Sequence, residues 1–257
     1  MLARHGHGAI TRREDANIDT IVGSGTLLGL RATGVEAELE ASRVGSHAGT
    51  PTEYEVTIEN LTYGQPLSPG VVVTHSPRSA IFRPGRLASE GIRLIAENGD
   101  PTVAVQELSG RRGIDEVVAT DRPLGCVGCP GSFSTDLTIN ISTHGDASRL
   151  SLAVMLICTN DGFVGLRSVE LPHGHETKTY YAGGYDAGTE YNDEDWNSVV
   201  DPCGAIGPVA GPQDRTNERT ATSRPIKRHR GIRGIADLTD AHDWHGPVAR
   251  ITIKRVS

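Results

Sequence analysis

The chain has 257 residues and a formal charge of −7, with 37% hydrophobic residues but only 4% aromatic ones. That charge argues against general nucleic-acid binding, which needs a basic face to neutralise phosphates, and the scarcity of rings leaves the core to Val, Ile, Leu and Ala. With 31 Gly and 14 Pro the chain is rich in turns, which suits many short strands better than long helices, and no stretch reaches the roughly 20 apolar residues of a membrane-spanning helix.

Residues 1–50 show no sustained period apart from a short helical pattern at VEAELEASRV (35–44). Arginines followed by an apolar run at 20–30 faintly resemble an export signal, but Glu14, Asp15 and Asp19 interrupt its flank. The segment is expected to be an N-terminal extension, disordered or a degraded leader, ahead of one domain over 51–257. In TEYEVTIENLT (52–62), Tyr54, Val56 and Ile58 alternate with polar residues, the period of a strand with one wet face. VVVTH (71–75) predicts a strand buried on both faces. ASEGIRLIAEN (88–98) predicts a short helix capped by Ser89, buried through Ile92, Ile95 and Ala96, and stopped by Gly99. Asp100-Pro101 opens a second short helix reaching Leu108. Strands follow at DLTINIS (136–142), RLSLAVMLICT (149–159), FVGLRSVEL (163–171), ETKTYYAG (176–183) and PVARITIKRV (247–256), with a long polar loop at about 191–225. The pattern predicts an all-β fold, an antiparallel β-sandwich with one or two short helices.

Candidate chemistry concentrates in a few stretches. In YDAGTEYNDED (185–195) five of eleven residues are Asp or Glu, and Gly188 permits a sharp bend between Asp186 and Glu190. Calcium takes carboxylate and carbonyl oxygens of this kind, although the spacing is not that of an EF-hand; the alternative is a solvated acidic loop. Asp161 in TNDGF (159–163) offers a further carboxylate, or only the turn chemistry of a hairpin. HGH (173–175) and DAHDWHG (240–246) each offer two histidines to zinc, or are surface loops. The pair in CVGC (126–129) is half a zinc ribbon without its second half, or a disulfide, and Cys158 and Cys203 complete the count. KRHRGIRG (227–234) is the one concentrated basic run, a site for phosphate or acidic polysaccharide or else an exposed strand. No GxxxxGK, HExxH or GxSxG signature occurs. Asn60 and Asn140 stand in glycosylation sequons.

Taken in order, YEVTIENLT, PLSPGVVVTHS, ASEGIRLIAENGD, MLICTNDGFVGL, YYAGGYDAGTE, HRGIRGIADL and PVARITIKRV resemble the spondin domain of the F-spondin and mindin type, closest to its bacterial and archaeal members, over about residues 53–256. The resemblance implies an eight-stranded antiparallel sandwich similar to C2 domains, with small helices and one structural calcium ion in loops at one end. The family motifs Ser-Pro-Asp-Trp and Tyr-Asp-Ala-Gly-Thr-Asp land on Asp161, Asp186 and Glu190 as metal ligands. Glu190 stands for the family's second aspartate, and Thr159-Asn160 for its Ser-Pro. Asp193, Glu194 and Asp195 are then expected to face solvent. The implied function is a non-enzymatic, secreted or cell-surface module for adhesion or matrix-like recognition of an extracellular protein or glycan. The alternative is a carbohydrate- or lipid-surface-binding module using Tyr185, Tyr191 and Trp196. A zinc-dependent hydrolase built on His242 and His245 is the third reading.

Overall fold

A computed structural model describes residues 50–212 and 214–257. Apart from Thr50, the extension expected at 1–50, with its export-like run and its helical pattern, lies outside the described residues. Alternation builds the first strand: in β1 (Thr52–Asn60) Tyr54, Val56 and Ile58 are buried between half-exposed Glu53, Glu55, Thr57 and Glu59. It pairs antiparallel with β4 (Asp136–Thr143) on one side and β9 (Ala249–Arg255) on the other. From β9 the path runs through β7 (Thr177–Asp186), β6 (Gly162–Glu170), β5 (Arg149–Leu156) and β2 (Leu67–His75) to β3 (Ile114–Ala119), every pair antiparallel.

Strand β7 belongs to two sheets. Residues 177–182 pair with β9 and 183–186 with β6. The change falls at Gly183-Gly184, where a Cβ on Gly184 would meet the Trp244 ring at 2.9 Å. At the far side, β3 and β4 are joined by side chains: the Ser142 N–H and hydroxyl donate to Glu116 Oε2, and the His144 N–H donates to Asp115 Oδ2 at 2.7 Å. The result among the described residues is a nearly closed sandwich of eight strands, as the family resemblance implies, with a two-residue ninth, β8 (Lys227–Arg228), paired to the end of β7. Strand β3 is not among the predicted strands, since IDEVVA carries neither alternation nor a long apolar run.

Three packed layers explain the remaining patterns. Val56, Ile58, Leu152, Val154, Ile251 and Ile253 fill the space between the sheets. Helices α1 (Glu90–Asn98) and α2 (Thr102–Leu108) cover the outer face of β2, β5 and β6, where Ile92, Ile95, Ala104 and Leu108 meet Val71, Val73, Ala153 and Phe163. Strands β2 and β5 therefore read as continuous apolar runs because both of their faces are covered. The predicted caps hold: Ser89 Oγ accepts from the Ile92 N–H, Gly99 adopts φ 66°, and Asp100 Oδ1 accepts from the Thr102 N–H at 2.9 Å.

The third layer comes from the long polar stretch at about 191–225, which is irregular apart from one short helix. Residues there form a cap with a short helix α3 (Pro202–Ile206), in which Val199, Val200 and Cys203 pack with Ile232 and Leu238 on Met155, Ile157 and Cys158. A Cys158–Cys203 disulfide ties the cap to the end of β5, and Cys126–Cys129 closes its own turn. Polar composition concealed the cap because few apolar residues, widely spaced, suffice when a covalent bond supplies the anchor. Asn60 is buried, its amide donating to the carbonyls of Gln65 and Gly125 at 2.8 and 2.9 Å, so this sequon is structural.

Candidate metal site

The loops following β5 and β7 meet at one end of the sandwich because β5–β6 and β6–β7 are consecutive antiparallel pairs. After β5, the Thr159 hydroxyl donates to the Leu156 carbonyl at 2.7 Å and accepts from the Gly162 N–H at 2.9 Å. This tight turn presents Asp161 beside the last residue of β7, since Gly162 pairs in register with Asp186 and the Ala187 N–H donates to the Asp161 carbonyl at 3.0 Å. Beyond β7 the chain bends at Gly188, φ 75°, where a Cβ would lie 2.2 Å from the Arg224 carbonyl oxygen. The bend turns two N–H groups back toward the first loop: Thr189 and Glu190 donate to Asp161 Oδ2 at 2.7 and 3.1 Å.

Asp161, Asp186 and Glu190 are all buried, at 0%, 3% and 5% exposure. Asp186 is well supplied with donors, Oδ1 accepting from the Gly188 N–H at 2.8 Å and Oδ2 from Asn192 Nδ2 at 2.9 Å and Lys227 Nζ at 3.0 Å. The other two are not. Asp161 Oδ1 and Glu190 Oε2 are buried without a hydrogen-bond partner. Burial, reinforced by the charge of Asp186, pushes the Asp161 carboxyl up to about 6 against the pull of the Thr189 and Glu190 N–H groups. Burial also pushes Glu190 up to about 8, with Arg219 opposing and Glu97 and Asp161 adding to the rise. An ion pair in a buried setting repays desolvation only with good geometry, and the Arg219–Glu190 contact is long, at 3.4 Å.

The structure thus brings the three sequence-predicted ligands into one loop cluster without converging their carboxylates. One oxygen from each does not fall within 4.8 Å of the other two; among the described residues the set that meets this distance is Cys158, Cys203 and His242. That set offers no thiolate pair, because the two cysteines are joined to each other. Arg219 holds Glu190 Oε1 while also donating to the Glu97 carbonyl at 3.0 Å and Asn98 Oδ1 at 2.7 Å. Neither Arg219 nor Lys227 was signalled in the sequence as part of this site: Arg219 lies 29 residues beyond Glu190, and Lys227 reads there as one charge of a basic run.

The remaining acids of the opening stretch do other work. Glu194 does not face solvent: it is buried, adopts φ 61°, and its two oxygens accept from the N–H groups of Arg233 and Ile235 at 3.0 and 2.9 Å. Asp193 Oδ1 accepts from Asn160 Nδ2 at 2.9 Å and from the Ser198 hydroxyl. The physical reason is that the segment at 231–238, which has no ladder partner, needs acceptors for its backbone donors. Replacing Glu194 by Ala is expected to cost about 3 kcal/mol, two charge-assisted bonds lost, and to speed amide exchange at Arg233 and Ile235 first.

The histidine and aromatic readings separate in the same way. His173 and His175 are exposed in a turn, His242 is buried against Trp196 with ring centroids 5.5 Å apart, and the His245 side chain is 96% exposed. His242 and His245 therefore do not face a common point. Of the three aromatics placed beside the loops, Tyr185 is buried in a cluster with Phe82 and Phe163, and Trp196 packs under Arg215. Tyr191 is the exposed one, at 50%.

A nearly closed antiparallel sandwich that gathers an all-oxygen acidic loop cluster at one end defines a loop-presenting β module. The chain belongs to the spondin N-terminal domain family: residues 51–199 match Spondin_N. No curated protein matches the chain. The match ends before β8 and β9, yet β9 pairs with both β1 and β7, so the sandwich needs chain beyond residue 199. No helix among the described residues is long and apolar enough to cross a membrane.

Proposed function

We propose that the domain is a non-enzymatic, extracytoplasmic recognition module whose loops are fixed by one calcium ion held by Asp161, Asp186 and Glu190. The observation that carries this reading is the pair of buried carboxylate oxygens, Asp161 Oδ1 and Glu190 Oε2, that find no donor among the described residues. Their chemistry suits a hard cation, since the cluster supplies carboxylates and carbonyls and no sulfur or imidazole. Bound calcium supplies positive charge at oxygens that the protein leaves uncompensated. Asp161 is oriented for the role by the Thr189 and Glu190 N–H groups, which hold Oδ2 and leave Oδ1 free. Lys227 and Arg219 are the chain's own cations at Asp186 and Glu190, and a divalent ion taking those carboxylates would compete with them. Two disulfides with no free cysteine support an oxidising compartment, and adhesion or matrix-like recognition is the family-level role that fits such a module. Calorimetric titration of the full chain with calcium chloride is expected to give one ion per chain, and Asp186→Asn to lose most of the affinity. An unaltered isotherm in that variant would remove Asp186 from the site.

A further inference from the structure

Beside the acidic loops lies a cleft of about 280 Å³ whose walls carry Arg224, Lys227, Arg230 and Arg233. Its two acids are already engaged, Asp186 by Gly188, Asn192 and Lys227, and Glu194 by the N–H groups of Arg233 and Ile235. Arg224 and Arg230 make no ion pair and no side-chain hydrogen bond among the described residues. Two uncompensated guanidiniums in one cleft, on a chain of formal charge −7, make a local positive field that opposes the net field of the molecule. The exposed Tyr191 ring borders the same cleft, its backbone fixed by a 2.8 Å bond from its N–H to the Thr220 carbonyl. The His229 ring forms part of the wall, its Nδ1 accepting from the Gly231 N–H at 3.1 Å and its face packed on Trp244.

We infer that this cleft binds an anionic saccharide, the Tyr191 ring lying against a sugar face while Arg224 and Arg230 take its carboxylate or sulfate groups. Guanidinium forks match planar and tetrahedral oxyanions, and an aromatic face beside them selects a ring that bears such a group. A nucleotide is the other ring with an anionic arm, but its base calls for an apolar slot, and the walls here include Asn160, Asn192 and the His229 ring. The inference gives a ligand class to the recognition module proposed above and rests on that reading for its biological sense, though not on calcium for its binding.

The test is titration of the full chain with a heparin-derived hexasaccharide, its desulfated and carboxyl-reduced counterpart, and adenosine monophosphate, each in calcium and in chelator. The sulfated hexasaccharide is expected to bind in both buffers and to weaken as salt rises, with the neutral counterpart and the nucleotide at least about tenfold weaker. The double variant Arg224→Ala/Arg230→Ala is expected to lose at least about tenfold, and Tyr191→Ala several-fold. A double variant with the same change of charge on exposed residues elsewhere, Arg112→Ala/Arg122→Ala, is expected to bind as the unaltered chain does. Equal losses in the two double variants, or a nucleotide that binds as well as the hexasaccharide, would overturn the assignment. Binding in chelator by a chain that fails to take up calcium would strike the metal reading and leave the cleft standing.

Discussion

In chelator, the melting temperature of the domain is expected to fall, relative to that of Asp161→Asn/Glu190→Gln, as pH rises from 4 to 8. The reference chain cancels the opposite contribution of His75, His229 and His242, whose burial pushes their pKa values down. The Asp161 and Glu190 carboxyls titrate near 6 and 8 in the folded chain but near 4 when unfolded. Across that window these two carboxyls hold more protons in the folded chain than in the unfolded one, so they release protons on unfolding and their contribution to stability drops with rising pH. The stabilisation is fully present below pH 4 and is lost as each folded carboxyl ionises. Asp161 alone accounts for about 3 kcal/mol, its shift of about two units converted at the usual factor, which in a domain of this size corresponds to roughly 10 °C. Saturating calcium is expected to flatten the slope, because the ion and the protons compete for the same oxygens and affinity rises with pH. Asp161→Asn inverts the comparison: it melts above the unaltered chain at pH 8 in chelator and below it in calcium. Thermal melts of the two chains at four pH values decide the matter, and a difference in melting temperature that is flat or rising in chelator contradicts the account.

The second large effect is expected at the cap. Cys158 and Cys203 are 45 residues apart in sequence, and closing a loop of that length restricts the unfolded chain by about 4 kcal/mol. Cys158→Ala/Cys203→Ala is therefore expected to lower the melting temperature by roughly 10 °C. The loss has a local component as well. Cys158 stands three residues before Asp161, and its N–H and carbonyl are held by the Gln65 side chain at 3.0 and 3.1 Å. Freed of α3, the Asp161 turn keeps its Gln65 anchor but loses the covering layer of Val199 and Val200, so calcium affinity is expected to fall along with stability. The matching change at the other bridge, Cys126→Ala/Cys129→Ala, closes only a local turn and is expected to cost much less. Similar losses in the two double variants would contradict the assignment of the cap to Cys158–Cys203.

Strands whose two faces differ, such as β1 and β9, were legible from alternation alone, and β2 and β5 from their continuous apolar runs. The covered outer face of β2 and β5 follows once α1 is recognised, and its Ser89 and Gly99 boundaries are written in the sequence. Less of the site was legible. Spacing offered Asp186 and Glu190 as calcium ligands or a solvated loop, and Asp161 as a further carboxylate or a turn residue, and the reading of all three as one site rests on family resemblance. What the sequence hid was pairing at long range: Arg219 at Glu190, Lys227 at Asp186, and the buried Glu194 beneath the 231–238 segment. A run of acids reads as a solvated face unless the donors opposite are known, and here those donors are backbone N–H groups, which every non-proline residue carries and no composition reveals. The Tyr185 and Trp196 rings misled for a related reason, since aromatic residues near polar loops also serve as the apolar floor on which such loops are built.

Proton release on calcium binding tests the central claim most directly. Calcium titrations of the full chain at pH 7 in two buffers of different ionisation enthalpy give the number of protons released per ion bound. With Glu190 titrating near 8 and Asp161 near 6, the account predicts about one proton per calcium, supplied almost wholly by Glu190 and abolished in Glu190→Gln. Calcium uptake with no proton release would mean that the ion sits elsewhere and that these buried carboxyls are not its ligands.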